Sequence, residues 1–192
     1  NVEGMYPIRT IEKLLGETFP ETAQLIRISS LKTKYRDLWR RWYHWMPIGA
    51  KVIMDEAQDI YPKTGWKEDD LVYKPVEFYS SVLPDWFIKY VRDTHHSFRP
   101  EQDESTVDDT GDIQFDENGY IIYPQTMNES YKRHRKYNWD VIICTPDIND
   151  LHKNLRGACE LAISYASKDS FFFSRRKPRL FEHDPNRKPQ PR

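Results

Sequence analysis

Apolar and polar residues follow two periodicities along the chain. Short apolar runs bounded by polar residues predict strands at 24–29, 51–55, 140–145 and 160–166. Apolar residues spaced three or four positions apart predict helices at 7–16, 33–46, 85–97, 128–136 and 147–157. Because strands and helices alternate, the sequence predicts an α/β domain with a mainly parallel sheet flanked by helices.

The helix predicted at 33–46 has two distinct faces. Its apolar face is formed by Tyr35, Leu38, Trp39, Trp42, Trp45 and Met46. Its polar face is formed by Lys34, Asp37, Arg40, Arg41 and His44. The apolar stripe predicts a helix that packs on the core, and Pro47 and Gly49 predict its end.

The middle of the chain is predicted to be an insertion, at about 63–127. Prolines, a glycine and charges predict a loop at 62–80, and 101–117 contains eight acidic residues and no basic one. Residues 113–123 predict a hairpin around the turn Asp-Glu-Asn-Gly. Asn128 is the predicted cap of the next helix.

One domain is predicted at 1–173, followed by a basic, proline-rich tail or linker at 174–192. That tail has seven Lys or Arg residues against two acidic ones. The whole chain of 192 residues has a net charge of −1, so its overall charge does not indicate a nucleic-acid or membrane partner.

Three further observations narrow the class of protein. The two cysteines, Cys144 and Cys159, are too few for a disulfide framework or a cysteine zinc site. No stretch reaches the roughly 18 apolar residues that cross a bilayer. The first residues, Asn-Val-Glu-Gly-Met, lack the basic and apolar segments of a signal peptide, and we expect the chain to be a piece of a longer protein.

The strongest chemical motif is Val-Ile-Met-Asp-Glu at 52–56, an apolar strand that ends in two carboxylates. P-loop NTPases use this arrangement because the strand holds its last residues at the carboxyl edge of the sheet, where ligands bind. Asp55 would bind Mg²⁺ through water, and Glu56 would polarise the water that attacks the terminal phosphate. A strand that ends in Asp-Glu by chance is the alternative.

A second polar residue is expected at the same edge. The apolar run Val141–Cys144 predicts a central parallel strand covered on both faces, and Thr145 follows it. Thr145 is a candidate sensor of the terminal phosphate. In the alternative, Thr145 begins a turn and Asp147 caps the next helix.

No Gly-x-x-x-x-Gly-Lys-Ser/Thr loop occurs among the 192 residues. Such a loop cradles the phosphates in P-loop enzymes, so this stretch alone is not expected to hydrolyse ATP. Either the loop belongs to a part of the protein before residue 1, or the protein is a degenerate, non-catalytic relative.

Basic residues supply the remaining candidates. Lys132, Arg133, Arg135 and Lys136 predict a contact with DNA phosphates or a neighbouring subunit, or else a solvated basic helix end. Arg156 is a candidate arginine finger acting on a neighbouring subunit, or else a surface salt bridge.

Three segments occur in order along the chain. They are Ile-Met-Asp-Glu-Ala-Gln-Asp-Ile-Tyr-Pro at 53–62, the stretch from Arg-His-Arg-Lys-Tyr to Cys-Thr-Pro-Asp-Ile at 133–148, and Leu-His-Lys-Asn-Leu-Arg at 151–156. Together they resemble the zonular occludens toxin (Zot) family of filamentous-phage assembly and export ATPases. Asn-Val-Glu-Gly at 1–4 is similar to the strand that follows the P-loop helix in that family. The resemblance covers most of 1–166 outside the insertion.

The resemblance implies a P-loop NTPase fold of the FtsK and HerA type, with ATP and Mg²⁺ as cofactors. It also implies a viral protein at the cytoplasmic face of the host inner membrane, single-pass when full length. A ring of identical subunits would drive virion export, with phage DNA, coat protein or host thioredoxin as possible partners. The absent P-loop and the long segment 57–139 depart from the family pattern.

Two other functions compete with a motor ATPase. The stretch Asp-Glu-Ala-Gln at 55–58 is also similar to a helicase box, but a helicase needs a second RecA-like domain of roughly 150 residues. The third hypothesis is a non-catalytic scaffold, derived from a P-loop fold, that binds phage or host assembly factors.

Overall fold

A computed structural model of the chain describes residues 2–6, 12, 16, 18, 25–65, 67, 71–99, 115–166 and 179–185. The strands are β1 (Val2–Tyr6), β2 (Leu25–Ile28), β3 (Lys51–Met54), β4 (Asp140–Ile143), β5 (Ala162–Ala166) and β6 (Arg179–His183). The α-helices are α1 (Thr33–Arg40), α2 (Ala57–Ile60), α3 (Asp85–Ser97), α4 (Met127–Lys132) and α5 (Lys153–Ala158). Short 3₁₀ helices span Trp42–His44, Val76–Tyr79, His134–Tyr137 and Ile148–Asp150.

The described strands form three separate two-stranded sheets. β3 and β4 are parallel, while β1 pairs with β2 and β5 pairs with β6 in antiparallel fashion. The α/β class is therefore confirmed, but the prediction of one mainly parallel sheet is wrong for the described residues. An apolar run identifies a strand, but it does not tell which strand lies beside it.

An aromatic core lies beneath the β3–β4 sheet and α1. Trp42, Trp45 and Trp139 are fully or almost fully buried. The Trp42 and Trp139 rings meet edge to face with centroids 4.9 Å apart, a favourable arrangement for aromatic pairs. Their indole N–H groups donate to the Tyr131 hydroxyl and the Pro47 carbonyl, so neither is left unsatisfied. The prediction that the tryptophan stripe belongs to the core is confirmed.

His44 was predicted on the polar face and is instead 1% exposed. The α-helix ends at Arg40, and in the 3₁₀ turn Trp42–His44 that follows all three residues are buried, so this turn has no exposed polar face. There Nδ1 lies 2.5 Å from the Tyr79 hydroxyl, and the Lys74 N–H donates to the same nitrogen. Burial lowers the pKa of His44 to about 4, which keeps the ring neutral.

The prediction that β4 is covered on both faces is wrong. Val52 and Met54 of β3 are buried, but Ile53 is 58% exposed and its register partner Ile142 is 42% exposed. In the described part of the chain, only the face toward the aromatic core is covered. Strand β4 is therefore less buried than the continuous apolar run at 141–144 predicts.

Some helix ends agree with the predictions and others differ. Helix α3 has the predicted bounds, with Pro84 before its first residue. Helix α4 is capped by Thr126, which accepts a hydrogen bond from Glu129 N, and not by Asn128. Thr126 has the extended backbone that a capping residue needs, whereas Asn128 lies inside the helix. The helix predicted at 147–157 is split into a 3₁₀ turn and α5.

The remaining predictions concern the insertion and the two ends of the chain. The hairpin is confirmed from residue 115 by the Phe115–Ile121 bridge and the left-handed Gly119 (φ 77°). The acidic residues 101–114 and most of the helix predicted at 7–16 lie outside the described residues. Strand β6 lies within the predicted tail, and its sequence Arg-Leu-Phe-Glu-His has no apolar–polar alternation that would have indicated a strand. The domain boundary at 173 stays a prediction.

Candidate functional site

Two loops come together where the parallel strands β3 and β4 end. Met54 is opposite Ile143, and the ladder continues as Cys144 N donates to Met54 O at 2.8 Å. Ala57 N then donates to Cys144 O at 3.0 Å. Asp55 and Glu56 therefore leave the sheet at the same edge as Thr145, as the sequence predicted for neighbouring parallel strands.

The same two loops are joined again farther from the sheet. Pro62 and Leu151 form an antiparallel bridge, and His152 N donates to Tyr61 O at 3.1 Å. We call residues 55–63 and 144–156 together the carboxyl edge. Because backbone hydrogen bonds connect both loops, the edge is a fixed part of the fold.

Asp55 and Glu56 are both exposed. Glu56 has left-handed backbone angles (φ 50°, ψ 46°), which are unfavourable for a residue with a side chain. Its N–H donates to Asp55 Oδ1 at 3.0 Å, which helps to hold this turn. Backbone strain of this kind is concentrated at functional sites, where the surrounding structure maintains it.

Gln58 is a residue of the edge that the sequence reasoning missed. Its Nε2 donates to Glu56 Oε2 at 2.5 Å, from two positions farther along the chain. The stretch Asp-Glu-Ala-Gln could have indicated Gln58, because this residue follows the two carboxylates and lies in the first turn of α2. Its contact gives the Glu56 side chain a defined direction.

Thr145 adopts the turn that was the alternative to phosphate sensing. Its Oγ1 donates to the Asp147 carbonyl at 3.0 Å, and Asp147 Oδ1 accepts from Asn149 N at 2.8 Å. Asp147 therefore caps the 3₁₀ turn Ile148–Asp150. Thr145 is half-buried at the edge, and a sensing role for it stays a prediction.

Two basic side chains face this edge. Backbone and side-chain hydrogen bonds from Asn149 lower the pKa of Asp147, and the positive charges of Arg156 and Lys63 lower it further. Arg156 is half-buried, and its Nε has no hydrogen-bond partner among the described residues. Lys63, which sequence reasoning missed, directly follows the motif stretch that ends at Pro62. The arginine-finger role of Arg156 stays a prediction.

Cys144 lies directly beside the acidic pair. Its thiol is exposed as a free cysteine, and partial burial together with the negative charge of Asp55 raises its pKa. The thiol is therefore protonated at neutral pH and is not an activated nucleophile.

The basic run before β4 is divided between two elements. Lys132 is the exposed last residue of α4, whereas Arg135 and Lys136 lie in the following 3₁₀ turn. Arg133 forms an ion pair with Glu129, and Arg135 forms one with Glu160 at 2.6 Å. Two of these charges are thus balanced within the chain, and the predicted contact with nucleic acid or a subunit stays a prediction.

The described ranges contain neither a cluster of metal ligands nor a membrane-spanning helix. No group of three or more His, Cys, Asp or Glu side chains there could hold a metal ion. Nor does that part of the chain contain a helix with the length and apolar character needed to span a membrane.

Comparison with known proteins identifies the family. Among curated proteins and solved structures, no match was found for this sequence. The family model described as zonular occludens toxin (Zot) matches residues 1–189, which include the acidic insertion and most of the basic tail. The chain therefore belongs to the Zot family.

Proposed function

We propose that this chain contributes the Walker B motif, which is the apolar strand with its two carboxylates at 52–56, to a P-loop NTPase domain in a filamentous-phage assembly and export ATPase. The observation that carries the proposal is the carboxyl edge. Asp55 and Glu56 leave β3 beside the parallel strand β4, at the edge of the sheet where ligands bind in α/β folds. Membership in the Zot family supports the same assignment.

The carboxylate and the basic side chains at this edge suit a magnesium-bound nucleotide. Asp55 Oδ1 accepts from Glu56 N, and none of the described residues hydrogen-bonds Asp55 Oδ2. An exposed carboxylate oxygen is a ligand that Mg²⁺ uses, often through water. Arg156 and Lys63 add positive charge that can balance phosphate oxygens. Because no phosphate loop occurs in the 192 residues, the nucleotide would need further groups to hold it.

Each residue at the edge has a proposed role. Bound Mg²⁺ would neutralise charge on the phosphates. Asp55 would hold that ion through water, and Glu56 would accept the proton of the attacking water. Thr145 and Arg156 are supporting candidates, Thr145 for contact with the terminal phosphate and Arg156 for a neighbouring subunit. The basic residues Lys132, Arg133, Arg135 and Lys136 remain proposed contacts to DNA or a neighbouring subunit.

At the level of the whole protein, the proposal is a ring of subunits at the cytoplasmic face of the host inner membrane. Membrane attachment would come from a segment outside this chain. ATP hydrolysis would drive virion export, with phage DNA, coat protein or host thioredoxin as proposed partners. Family membership supports this proposal.

The test compares full-length wild type with Glu56→Gln, which removes the base and keeps the size of the side chain. We expect ATP hydrolysis to fall about 100-fold or more, because a general base contributes about 10²–10⁴. Nucleotide binding, measured by fluorescence titration, should be retained, and phage release should stop. Glu117→Gln, the same substitution at an exposed residue of the insertion, serves as the matched control.

A non-catalytic scaffold is the second candidate, favoured by the missing phosphate loop in these residues. It predicts that Glu56→Gln leaves phage release unchanged. It also predicts no hydrolysis by the full-length wild type. Either result would replace the motor by the scaffold.

A further inference from the structure

Gln58 contacts the proposed catalytic carboxylate with only one end of its amide group. Nε2 donates to Glu56 Oε2 at 2.5 Å, whereas Oε1 is buried and has no hydrogen-bond partner among the described residues. The side chain is half-buried at the start of α2, so protein atoms restrict its movement. A buried amide oxygen without a partner is costly, and its position needs an explanation.

Chemistry fixes which end of the amide faces Glu56. An ionised carboxylate only accepts hydrogen bonds, so an Oε1 in that place would set two acceptors against each other. The orientation with Nε2 toward Glu56 therefore follows from the hydrogen-bonding groups. When Nε2 donates to Glu56, the amide oxygen Oε1 of Gln58 is left without a partner among the described residues.

The backbone around Glu56 is already fixed by other contacts. Asp55 Oδ1 accepts the Glu56 N–H, and Ala57 N donates to Cys144 O of the neighbouring strand. These bonds hold the main chain in its left-handed turn, but they do not direct the exposed side chain of Glu56. Within the described residues, the contact that directs its carboxylate is the one from Gln58.

We propose that Gln58 is a positioning residue for Glu56. The amide holds Oε2 and leaves Oε1, which no described residue hydrogen-bonds, to accept the proton of the attacking water. A neutral donor suits this role, since it orients the carboxylate without transferring a proton to it. This inference rests on the proposed function, because it requires Glu56 to act as the base.

The kinetic test uses Gln58→Met in the full-length protein. Methionine has a similar length and apolar stem but cannot donate a hydrogen bond, so packing is retained and the contact is lost. We expect kcat to fall about tenfold with KM changed less than about twofold, as for a lost hydrogen bond to a charged group. In a Glu56→Gln background, the same substitution should cause no further loss. Gln125→Met is the matched control, since Gln125 lies in the insertion.

The second measurement detects the contact without catalysis. In full-length protein labelled with ¹⁵N at glutamine side chains, the Gln58 amide resonances should shift when Glu56 is replaced by Ala, and those of Gln125 should not. The Tm of Gln58→Met is compared with that of wild type. A difference within about 2 °C would exclude a merely structural role, because about 1 kcal/mol shifts Tm by about 2–4 °C in domains of this size.

The outcomes separate this inference from the proposed function. If Glu56→Gln lowers hydrolysis as expected but Gln58→Met is fully active, or lowers the wild-type kcat and the residual kcat of Glu56→Gln by the same factor, Gln58 does not position Glu56. If wild type hydrolyses no ATP, the proposed function fails, and the positioning role fails with it. The amide resonances then still show whether the Gln58–Glu56 contact exists.

Discussion

Met54 and Asp55 are neighbours in sequence but belong to regions with opposite properties. Met54 is 1% exposed, with its sulfur 4.0 Å from the Tyr131 hydroxyl in the aromatic core. Asp55 is exposed at the carboxyl edge. In the core, the indole N–H groups of Trp42, Trp45 and Trp139 all have acceptors. At the edge, Gln58 Oε1 and Arg156 Nε have none among the described residues.

The two regions contribute to different properties of the protein. The core contributes stability, since it excludes water and satisfies its polar atoms. The edge keeps a strained residue and unsatisfied atoms, which reduce stability but leave groups available to a ligand. Substitutions in the core should therefore change the free energy of unfolding, and substitutions at the edge should mainly change activity.

The largest expected effect comes from removing an aromatic ring from the core. Trp42→Ala should lower the free energy of unfolding by about 3–5 kcal/mol, because it leaves a cavity and removes the partner of the Tyr131 hydroxyl. Urea denaturation followed by circular dichroism measures this change. Trp86→Ala is the control, since Trp86 is 41% exposed and its loss should cost less than about 1 kcal/mol. Equal losses at both positions would contradict a core centred on Trp42.

The second effect is a pH dependence of core stability. The pKa of His44 is about 4 in the folded protein against 6.5 in the unfolded chain. The unfolded state therefore binds more protons between these values, so stability is fully present above about pH 6.5 and is lost as the pH falls toward about 4. The loss amounts to at most about 3 kcal/mol. Protonation also places an N–H at Nδ1 against the Lys74 N–H that donates there.

Unfolding free energies measured between about pH 4 and pH 7 give the slope. His44→Gln should flatten it, whereas His96→Gln, at an exposed position of α3, should leave most of it. An unchanged slope in His44→Gln would show that other groups cause the pH dependence. His95, whose pKa is also lowered by burial, would be the next candidate.

Hydrophobic periodicity predicted the core more completely than it predicted the sheets. It placed Trp42 and Trp45 inside because a stripe every three or four residues survives small changes in helix geometry. It misplaced His44, since periodicity did not reveal the change to a 3₁₀ turn after Arg40. Strand partners such as β3 and β4 lie far apart in sequence, and local patterns do not encode which strands pair.

At the carboxyl edge, the motif predicted the residues but not their interactions. Asp55, Glu56 and Thr145 follow their strands as expected, because parallel strands bring their carboxyl ends together. The left-handed turn at Glu56 and the contact from Gln58 depend on side-chain directions that spacing does not fix. The sequence also shows that no phosphate loop occurs among the 192 residues, so the carboxyl edge supplies only the carboxylate side of a nucleotide site.

The smallest stability effect should come from the strained residue itself. Glycine adopts left-handed angles readily, whereas Glu56 has a φ of 50° and a side chain. Comparing Glu56→Gly with Glu56→Ala isolates the strain, because both variants lose the carboxylate and only alanine keeps a Cβ. The glycine variant should be more stable by about 0.5–1 kcal/mol, which is the left-handed penalty reduced by the greater freedom of glycine in the unfolded chain.

Both variants should lose ATP hydrolysis in the full-length protein, so that the more stable one is no more active. Urea denaturation and a phosphate-release assay measure the two quantities. If alanine is as stable as glycine at this position, the turn is not strained in solution. If the glycine variant keeps hydrolysing ATP, the base is not Glu56. If Glu56→Gly is more stable than Glu56→Ala and neither hydrolyses ATP, then the backbone at Glu56 is strained and its carboxylate is needed for activity.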